Sequence, residues 1–298
     1  MPTTTDGRAS KFRDSDIVIS APSKCGMTWT QMLCALLIFD GADLPAPLPE
    51  LSVWVDMKTR RIEDVRRLYD QQDHRRFIKT HTPLDGLPFD QRVTYLGVGR
   101  DPRDAVISLV HHRANMDRRR VGELMEEAGE NASGWPPSSA AGVDTEGERL
   151  RRWIDEPAPV GSTGEPLAAI LHHFETFWER RHEANVALFH FSDYVADLPG
   201  ELGRLADVLG YQHDPIHLAA LAQEASLERM RDRAGDLAPN ADQRLWKDNA
   251  RFFRGGRVGD WRVAFTPQDE QHYEERVAGL VNADLAKWVH HGRWPRLV

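Results

Sequence analysis

The sequence predicts an α/β fold of one domain, with a central parallel sheet flanked by helices. Short apolar runs of strand length alternate with longer runs of helical period, an order typical of parallel sheets covered on both faces. No internal repeat or second-domain boundary divides the 298 residues. We therefore predict a single domain over 1–298, with a flexible tail over 1–15 and a loop-rich lid or insert over 113–165.

Four strands are expected from the apolar, β-branched runs, and capping residues mark several of the helices between them. One helix is expected to begin at Pro102 after the cap Asp101. The strand segments are 17–20, 76–82, 93–99 and 186–191. The helical segments are 27–39, 62–68, 102–110, 170–181, 198–209 and 215–230.

The first strand leads through a tight loop into a helix, in the stretch Ile-Val-Ile-Ser-Ala-Pro-Ser-Lys-Cys-Gly-Met-Thr-Trp over 17–29. A helix start exposes unpaired N–H groups, and here Gly26 permits close backbone approach while Lys24 adds a full charge. These features favour an anion site. The spacing is not that of Gly-x-x-x-x-Gly-Lys-Ser/Thr, because Lys24 precedes Gly26 by two. On this segment alone, a plain turn with a solvated lysine is the alternative.

Charged and imidazole side chains stand at the carboxyl ends of the next two strands. Lys79 and His81 are two residues apart, so they project to the same face, and Arg100 ends the third strand. Because ligands bind at this edge of open parallel sheets, we expect these side chains to lie near Lys24. Taken singly, Arg100 could instead pair with Asp104 on the surface.

A basic, glycine-rich loop lies near the C-terminus, in Arg-Phe-Phe-Arg-Gly-Gly-Arg-Val-Gly-Asp-Trp over 251–261. Three glycines allow its backbone to approach an anion closely, and its arginines add charge. Taken alone, a solvated turn explains such a loop equally well.

The composition argues against several other classes of protein. A formal net charge of −8 disfavours broad attachment to nucleic acid. The chain has no run of eighteen apolar residues and no apolar signal-peptide core, which predicts a cytoplasmic location without integral membrane association. The cysteines, Cys25 and Cys34, and the histidine pairs at 111–112 and 172–173 lack metal-ligand spacing, so neither a disulfide nor a metal site is expected.

Three motifs follow one another along the chain. Pro-Ser-Lys-Cys-Gly-Met-Thr-Trp occupies 22–29, Lys-Thr-His-Thr-Pro occupies 79–83, and Arg-Asp-Pro-Arg-Asp at 100–104 is followed by Ser108. In the same order they resemble the first loop, the catalytic strand end and the 3'-phosphate site of the cytosolic sulfotransferase family. The resemblance covers about residues 16–266, with one residue inserted in the first loop, and implies a P-loop-like nucleotide-binding core.

The resemblance also implies a reaction. Family members move a sulfuryl group from 3'-phosphoadenosine 5'-phosphosulfate (PAPS) to a hydroxyl or amine, and no metal is required. His81 would be the general base, because imidazole accepts a proton near neutrality. Lys24 and Lys79 would neutralise the sulfate and the leaving phosphate.

The nucleotide contacts implied by the resemblance come from four parts of the chain. Arg100, Ser108 and Arg254 would hold the 3'-phosphate. Trp29 and Phe191 would stack on adenine. The full set of expected cofactor-binding residues is Lys24, Cys25, Gly26, Met27, Thr28, Trp29, Arg100, Ser108, Phe191, Ser226, Phe253, Arg254, Gly255 and Gly256.

The sequence departs from the family pattern at several positions. Gly255 replaces a family lysine in the C-terminal loop, where Arg257 is a substitute cation, and Phe191 replaces a tyrosine. The family's dimerisation motif corresponds to 262–271, with Pro267 at the valine position and Gln271 at the glutamate position. A homodimer is therefore left open as an alternative to a monomer.

The acceptor is expected to be a small or lipid-like molecule with a hydrophobic body, such as a phenol, sterol or glycolipid. Two other functions stay open from the sequence: an ATP-dependent P-loop kinase, which the missing Gly-Lys-Ser/Thr disfavours, and a non-catalytic nucleotide-binding protein. Candidate pocket residues for the acceptor, each with ordinary core packing as its alternative, are Phe12, Met27, Trp54, Leu84 and Met116.

Overall fold

Four parallel strands form the sheet on which the chain is built. The computed structural model describes residues 12–131, 146–157 and 166–293. The strands are β1 (Ile17–Ser20), β2 (Phe77–Thr80), β3 (Thr94–Gly99) and β4 (Val186–His190), in the spatial order β2-β1-β3-β4. Each neighbouring pair is parallel, so the predicted α/β class with a central parallel sheet is confirmed.

The direction of chain progress across the sheet reverses at β1. The strand β2 lies on one side of β1, and the chain then passes to the other side to form β3. Ligands of open α/β sheets bind at the carboxyl ends of strands where the order reverses in this way. The loops that leave β1 and β3 therefore start at the favoured position.

Helices cover both faces and the ends of this sheet. They are α1 (Met27–Phe39), α2 (Leu48–Leu51), α3 (Ile62–Asp70), α4 (Pro102–Asn115), α5 (Arg118–Glu127), α6 (Glu146–Asp155), α7 (Leu167–Glu179), α8 (Phe191–Ala196), α9 (Leu198–Leu209), α10 (Pro215–Glu224), α11 (Leu227–Asp232), α12 (Ala234–Leu237), α13 (Pro267–Leu280) and α14 (Ala283–His291).

Alternate side chains of β1 enter two different hydrophobic clusters. Ile17 and Ile19 pack in a large cluster that includes α1, whereas Val18 packs in a smaller cluster with α3 and part of α7. This alternation follows from the two-residue period of a strand. On β3, a Cβ at Gly97 would lie 2.5 Å from the ring of Phe177, so the missing side chain lets α7 lie close to the sheet.

The structure differs from the sequence prediction at several places, and no segment was predicted for the helices α2, α8, α12, α13 and α14. The helix expected over 215–230 is two helices, because Ser226 caps α11 by accepting a hydrogen bond from the Arg229 N–H. The fourth strand ends at His190, whose side chain caps α8. Within 113–165, α5 and α6 occupy described residues, while 132–145, 158–165 and residues 1–11 of the expected tail lie outside them.

Within the described ranges, no helix combines the length and apolar character needed to span a bilayer.

Candidate active site

The loops that follow β1, β2 and β3 border one cleft with the C-terminal loop. The cleft measures about 980 Å³, a volume that includes its open mouth. The expected site residues that line it are Lys24, Gly26, Met27, Thr28, Trp29, Lys79, His81, Arg100, Ser108, Phe191, Phe253, Arg254, Gly255 and Gly256.

Two expected cofactor residues do not line the cleft. The Cys25 side chain is fully buried, and its N–H donates to the Pro22 carbonyl at 3.3 Å, so the backbone donor is already used. Burial also raises the pKa of the Cys25 thiol to about 12, which keeps it protonated. Ser226 serves as the cap of α11, and its neighbour Leu227 lines the cleft instead.

The loop after β1 turns sharply to present the start of α1. Both Lys24 (φ 67°) and Gly26 (φ 101°) adopt positive φ, and Gly26 is the N-cap of α1. Because no side chain caps this helix, its first N–H groups stay available to a bound anion. This geometry supports the anion site predicted from Lys24 and Gly26.

Lys24 is a half-buried side chain whose ammonium group lies among aromatic rings at the cleft. Its Nζ lies 3.3 Å from Nδ1 of His112 and 4.0 Å from the centre of the Phe252 ring. An ammonium can only donate, so His112 accepts through Nδ1. Burial, together with the charges of Arg100 and Lys79, lowers the pKa of Lys24 to about 7. A bound phosphate or sulfate would supply the missing counter-charge.

His81 is held in one tautomer by the backbone. Its Nδ1 contacts the Ala21 carbonyl, an oxygen that can only accept, so Nδ1 carries the proton and Nε2 keeps the lone pair. The backbone N–H of His81 donates to the Asp56 carboxylate at 2.8 Å. The Trp54 ring packs edge-on against the imidazole, with ring centres 4.6 Å apart. Burial and the charge of Lys79 lower the pKa of His81 to about 4, so the ring is neutral near pH 7.

Lys79 extends from the end of β2 along the same wall. Its Nζ lies 4.5 Å from the centre of the Trp54 ring. Burial lowers the pKa of Lys79 to about 8, although the nearby charge of Asp56 opposes that effect. Two lysines and the two imidazoles of His81 and His112 thus line the same cleft.

Arg100 is a buried guanidinium without a carboxylate partner among the described residues. It donates to the carbonyls of Lys24 (3.0 Å) and Arg257 (3.3 Å), while its Nε meets no acceptor in those ranges. Its charge lies 4.1 Å from the centre of the Phe191 ring, and burial lowers its pKa. The surface pair with Asp104 is therefore not formed, and a phosphate would fit this unpaired charge.

Asp104 instead fastens the C-terminal loop. Its carboxylate accepts hydrogen bonds from the N–H groups of Gly259 (2.8 Å) and Trp261 (3.1 Å). In this loop Arg254 pairs with Asp260 at 2.9 Å and remains partly exposed. Arg257, the suggested substitute for the family lysine, does not line the cleft.

The charges around the cleft are strongly unbalanced. Among the residues that the structure describes, its lining includes four cationic side chains, Lys24, Lys79, Arg100 and Arg254, but only one carboxylate, Asp260. The chain as a whole carries a formal net charge of −8. A local excess of positive charge on an acidic protein indicates a site for a polyanion, and the 3'-phosphate and phosphosulfate of PAPS suit it.

The family is settled by comparison with known proteins. The model of the sulfotransferase domain family matches residues 14–283, which is most of the chain. The chain belongs to the sulfotransferase family.

Relatives of this sulfotransferase are similar to it in sequence over nearly its whole length. It is 47% identical to a glycolipid sulfotransferase of Mycobacterium bovis and 48% identical to one of Mycobacterium tuberculosis, in each case over 96% of this chain and 90% of the relative. Its fold is similar to that of retinol dehydratase solved with androsterone and inactive cofactor PAP, with a TM-score of 0.70 and 19% identity, over 97% of this chain and 85% of the other.

The sulfotransferase is therefore a PAPS-dependent enzyme, and the kinase and non-catalytic alternatives are set aside. PAPS supplies the sulfuryl group and leaves as 3'-phosphoadenosine 5'-phosphate (PAP).

Sequence reasoning missed several residues of the site, among them His112 and Asp56. His112 lies one turn after Ser108 on α4, and this spacing of four was a usable signal because both face the same side of a helix. Asp56 accepts from the backbone of His81 and from the hydroxyl of Thr80, at 3.0 Å in the latter case. No local pattern marks Asp56, because it precedes β2 in a separate segment.

The acceptor candidates divide into two groups. Met27 and Trp54 line the cleft. Phe12 and Leu84 pack instead in the small cluster with Val18, and Met116 packs among residues of α5. Leu84 is buried core, and Phe12 and Met116 are partly buried side chains packed against core clusters, which agrees with the packing alternative that their sequence positions left open.

Proposed function

We propose that this sulfotransferase transfers the sulfuryl group of PAPS to a hydroxyl of a glycolipid, with His81 as the general base. The acceptor class rests on the relatives named as glycolipid sulfotransferases. An apolar wall supports it, because Met27, Trp54, Trp246 and Phe252 all line the cleft. The cytoplasmic location predicted from the sequence is part of the same proposal.

The observation that carries the role of His81 is its fixed tautomer. Because Nδ1 is committed to the Ala21 carbonyl, Nε2 is the nitrogen that can take the proton from an acceptor hydroxyl. As that proton moves, the acceptor oxygen bonds to sulfur and the bond from sulfur to the 5'-phosphate oxygen breaks. Lys24, Lys79 and the N–H groups at the start of α1 stabilise the charge that collects on the leaving phosphate.

The remaining cleft residues would hold the nucleotide. Arg100, Ser108 and Arg254 bind the 3'-phosphate in this proposal, and Trp29 stacks on adenine. Phe191 is 7% exposed and lies under the Arg100 guanidinium, so its role becomes support of that arginine rather than direct stacking.

The homodimer expected through 262–271 stays a prediction. Val263 is 94% exposed in this segment, and Thr266 is engaged in the capping box of α13.

Replacement of the base tests the mechanism. His81→Ala should lower the rate of sulfate transfer to glycolipid by about 10² to 10⁴. Affinity for PAP, measured by calorimetry, should stay within about threefold, because His81 is not assigned to nucleotide binding. His111→Ala, at an exposed histidine of α4, is the matched control. Near-normal turnover by His81→Ala would assign the base to another group.

The acceptor class needs a separate assay. Transfer from labelled PAPS should be compared for glycolipids, sterols and simple phenols at equal concentration, with glycolipids giving the highest kcat/KM. If only phenols or sterols accept sulfate, the glycolipid assignment is wrong although the sulfotransferase chemistry stands.

A further inference from the structure

A cluster of three potential metal ligands lies at the C-terminal end of α1, the end opposite the loop that joins β1 to α1. Asp40 follows the last residue of α1, His213 lies in the connection between α9 and α10, and His217 lies in the first turns of α10. The Asp40 carboxylate oxygen lies 2.6 Å from Nε2 of His217 and 3.8 Å from Nδ1 of His213. One ligand atom of each residue lies within 4.8 Å of the others.

These separations suit a small cation. In a tetrahedral zinc site with bonds of about 2.0–2.1 Å, ligand atoms lie about 3.3 Å apart. The two distances from Asp40 fall on either side of that value, so small side-chain rotations would bring both nitrogens and the oxygen to bonding distance. Two imidazoles and one carboxylate form a donor set that zinc accepts, with the fourth position left for water.

The cluster is also accessible and differs from the other histidine–carboxylate contacts. The side chains of Asp40, His217 and His213 are 64%, 37% and 14% exposed, so a metal ion can enter from solvent. Within the described ranges, the contacts His172–Asp85 and His272–Asp155 each supply a single histidine and a single carboxylate, and no other group of three potential ligands occurs there.

We propose that Asp40, His213 and His217 bind one divalent transition metal ion, zinc above all, at a site separate from the cleft. The ion would join the C-terminal end of α1 to the start of α10. The opposite ends of these helices already meet the cleft: α1 begins at Met27 after its N-cap Gly26, and Ala225 after α10 accepts a hydrogen bond from Trp29 Nε1 at 2.9 Å. The site would thus brace two helices that shape the nucleotide pocket. This inference does not depend on the identity of the acceptor.

Metal binding can be measured on the whole enzyme without an activity assay. Zinc chloride titrated into metal-stripped protein at pH 7.5 should show one site by calorimetry. At about 100 times its dissociation constant, zinc should raise the unfolding midpoint by roughly 3–6 °C. His217→Ala and Asp40→Asn should each abolish that rise. Asn is a suitable change at Asp40 because it tolerates the positive φ of 52° found there.

The control is His272→Ala, which removes a histidine of similar exposure from a two-membered contact with Asp155. It should keep the full zinc effect. His213→Ala gives a third loss of binding, and His217→Ala carries the test if that variant does not fold. Absence of zinc binding below about 100 μM in the wild type, or an unchanged midpoint rise in His217→Ala, would overturn the proposal.

Discussion

Lys24 shows how one residue joins ligand recognition to proton balance. Burial is the main factor that opposes the charge of its ammonium, and the positive charges of Arg100, Lys79 and Arg254 oppose it further. A bound anion reverses this balance, because phosphate favours the charged lysine. Nucleotide binding should therefore raise the pKa of Lys24 above its unliganded value of about 7.

The consequence is proton uptake on binding PAP. Between about pH 7 and pH 9 the free enzyme has lost much of the Lys24 proton, so binding must recover it and PAP affinity should fall as pH rises. At pH 8, calorimetry in buffers of different ionisation enthalpy should show uptake of about one proton or more, since Lys79 contributes. Lys24→Met should reduce the uptake by nearly one proton. Lys58→Met, at an exposed lysine, should leave it unchanged, and equal uptake in both variants would contradict this account.

At the scale of elements, α4 organises the nucleotide end of the cleft. It begins at Pro102 under the Asp101 cap and carries Ser108 and His112 on its cleft side. Its first turn also supplies Asp104, which holds the backbone of the C-terminal loop and so fixes the loop that carries Arg254. One helix thereby positions groups from two distant parts of the sequence.

Removal of the hydrogen bonds that Asp104 accepts from the C-terminal loop should selectively weaken binding of the 3'-phosphate. In Asp104→Ala the Gly259 and Trp261 N–H groups lose their acceptor, so the loop gains freedom. We expect PAP affinity to fall by about tenfold, or about 1.4 kcal/mol. Affinity for adenosine 5'-monophosphate, which lacks the 3'-phosphate, should fall by less than about threefold. Equal losses for the two nucleotides would indicate general unfolding of the site instead.

At the scale of the molecule, the sequence predicted those parts of the site that depend on local geometry. The strand-loop-helix after Ile17 and the two-residue spacing of Lys79 and His81 are local, so the shared sheet edge followed from parallel pairing alone. Contacts made by tertiary packing could not be read in this way. Asp56 reaches His81 from another segment, and Phe191 is covered by Arg100.

Burial explains the remaining differences. Cys25 lies within the first motif, but its buried thiol and paired N–H exclude it from the cleft surface.

The proposed metal site brings Asp40 together with His213 and His217, residues far apart in the sequence, and neither histidine stands in a recognisable ligand motif. Such a site becomes visible only once α1 and α10 are packed together.

The charge of Lys24 should lower the free energy of unfolding of the enzyme without nucleotide, relative to a variant with an uncharged side chain at this position. Lys24 titrates near pH 7 in the folded chain and near 10.5 when exposed, so the unfolded state binds the extra proton between these values. The resulting destabilisation is complete below about pH 7 and fades as pH rises towards 10.5. Lys24→Met should therefore raise the unfolding midpoint at pH 6.5, by roughly 3–8 °C, and raise it less at pH 9.5.

Nucleotide should reverse that ranking. In saturating PAP the wild type is stabilised by the interaction of Lys24 with the 5'-phosphate of the nucleotide. Lys24→Met lacks this interaction and is stabilised much less. Thermal unfolding at both pH values, with and without PAP, separates the two effects. A midpoint for Lys24→Met below that of the wild type at pH 6.5 without nucleotide would mean that the contacts with His112 and Phe252 outweigh the burial of the charge.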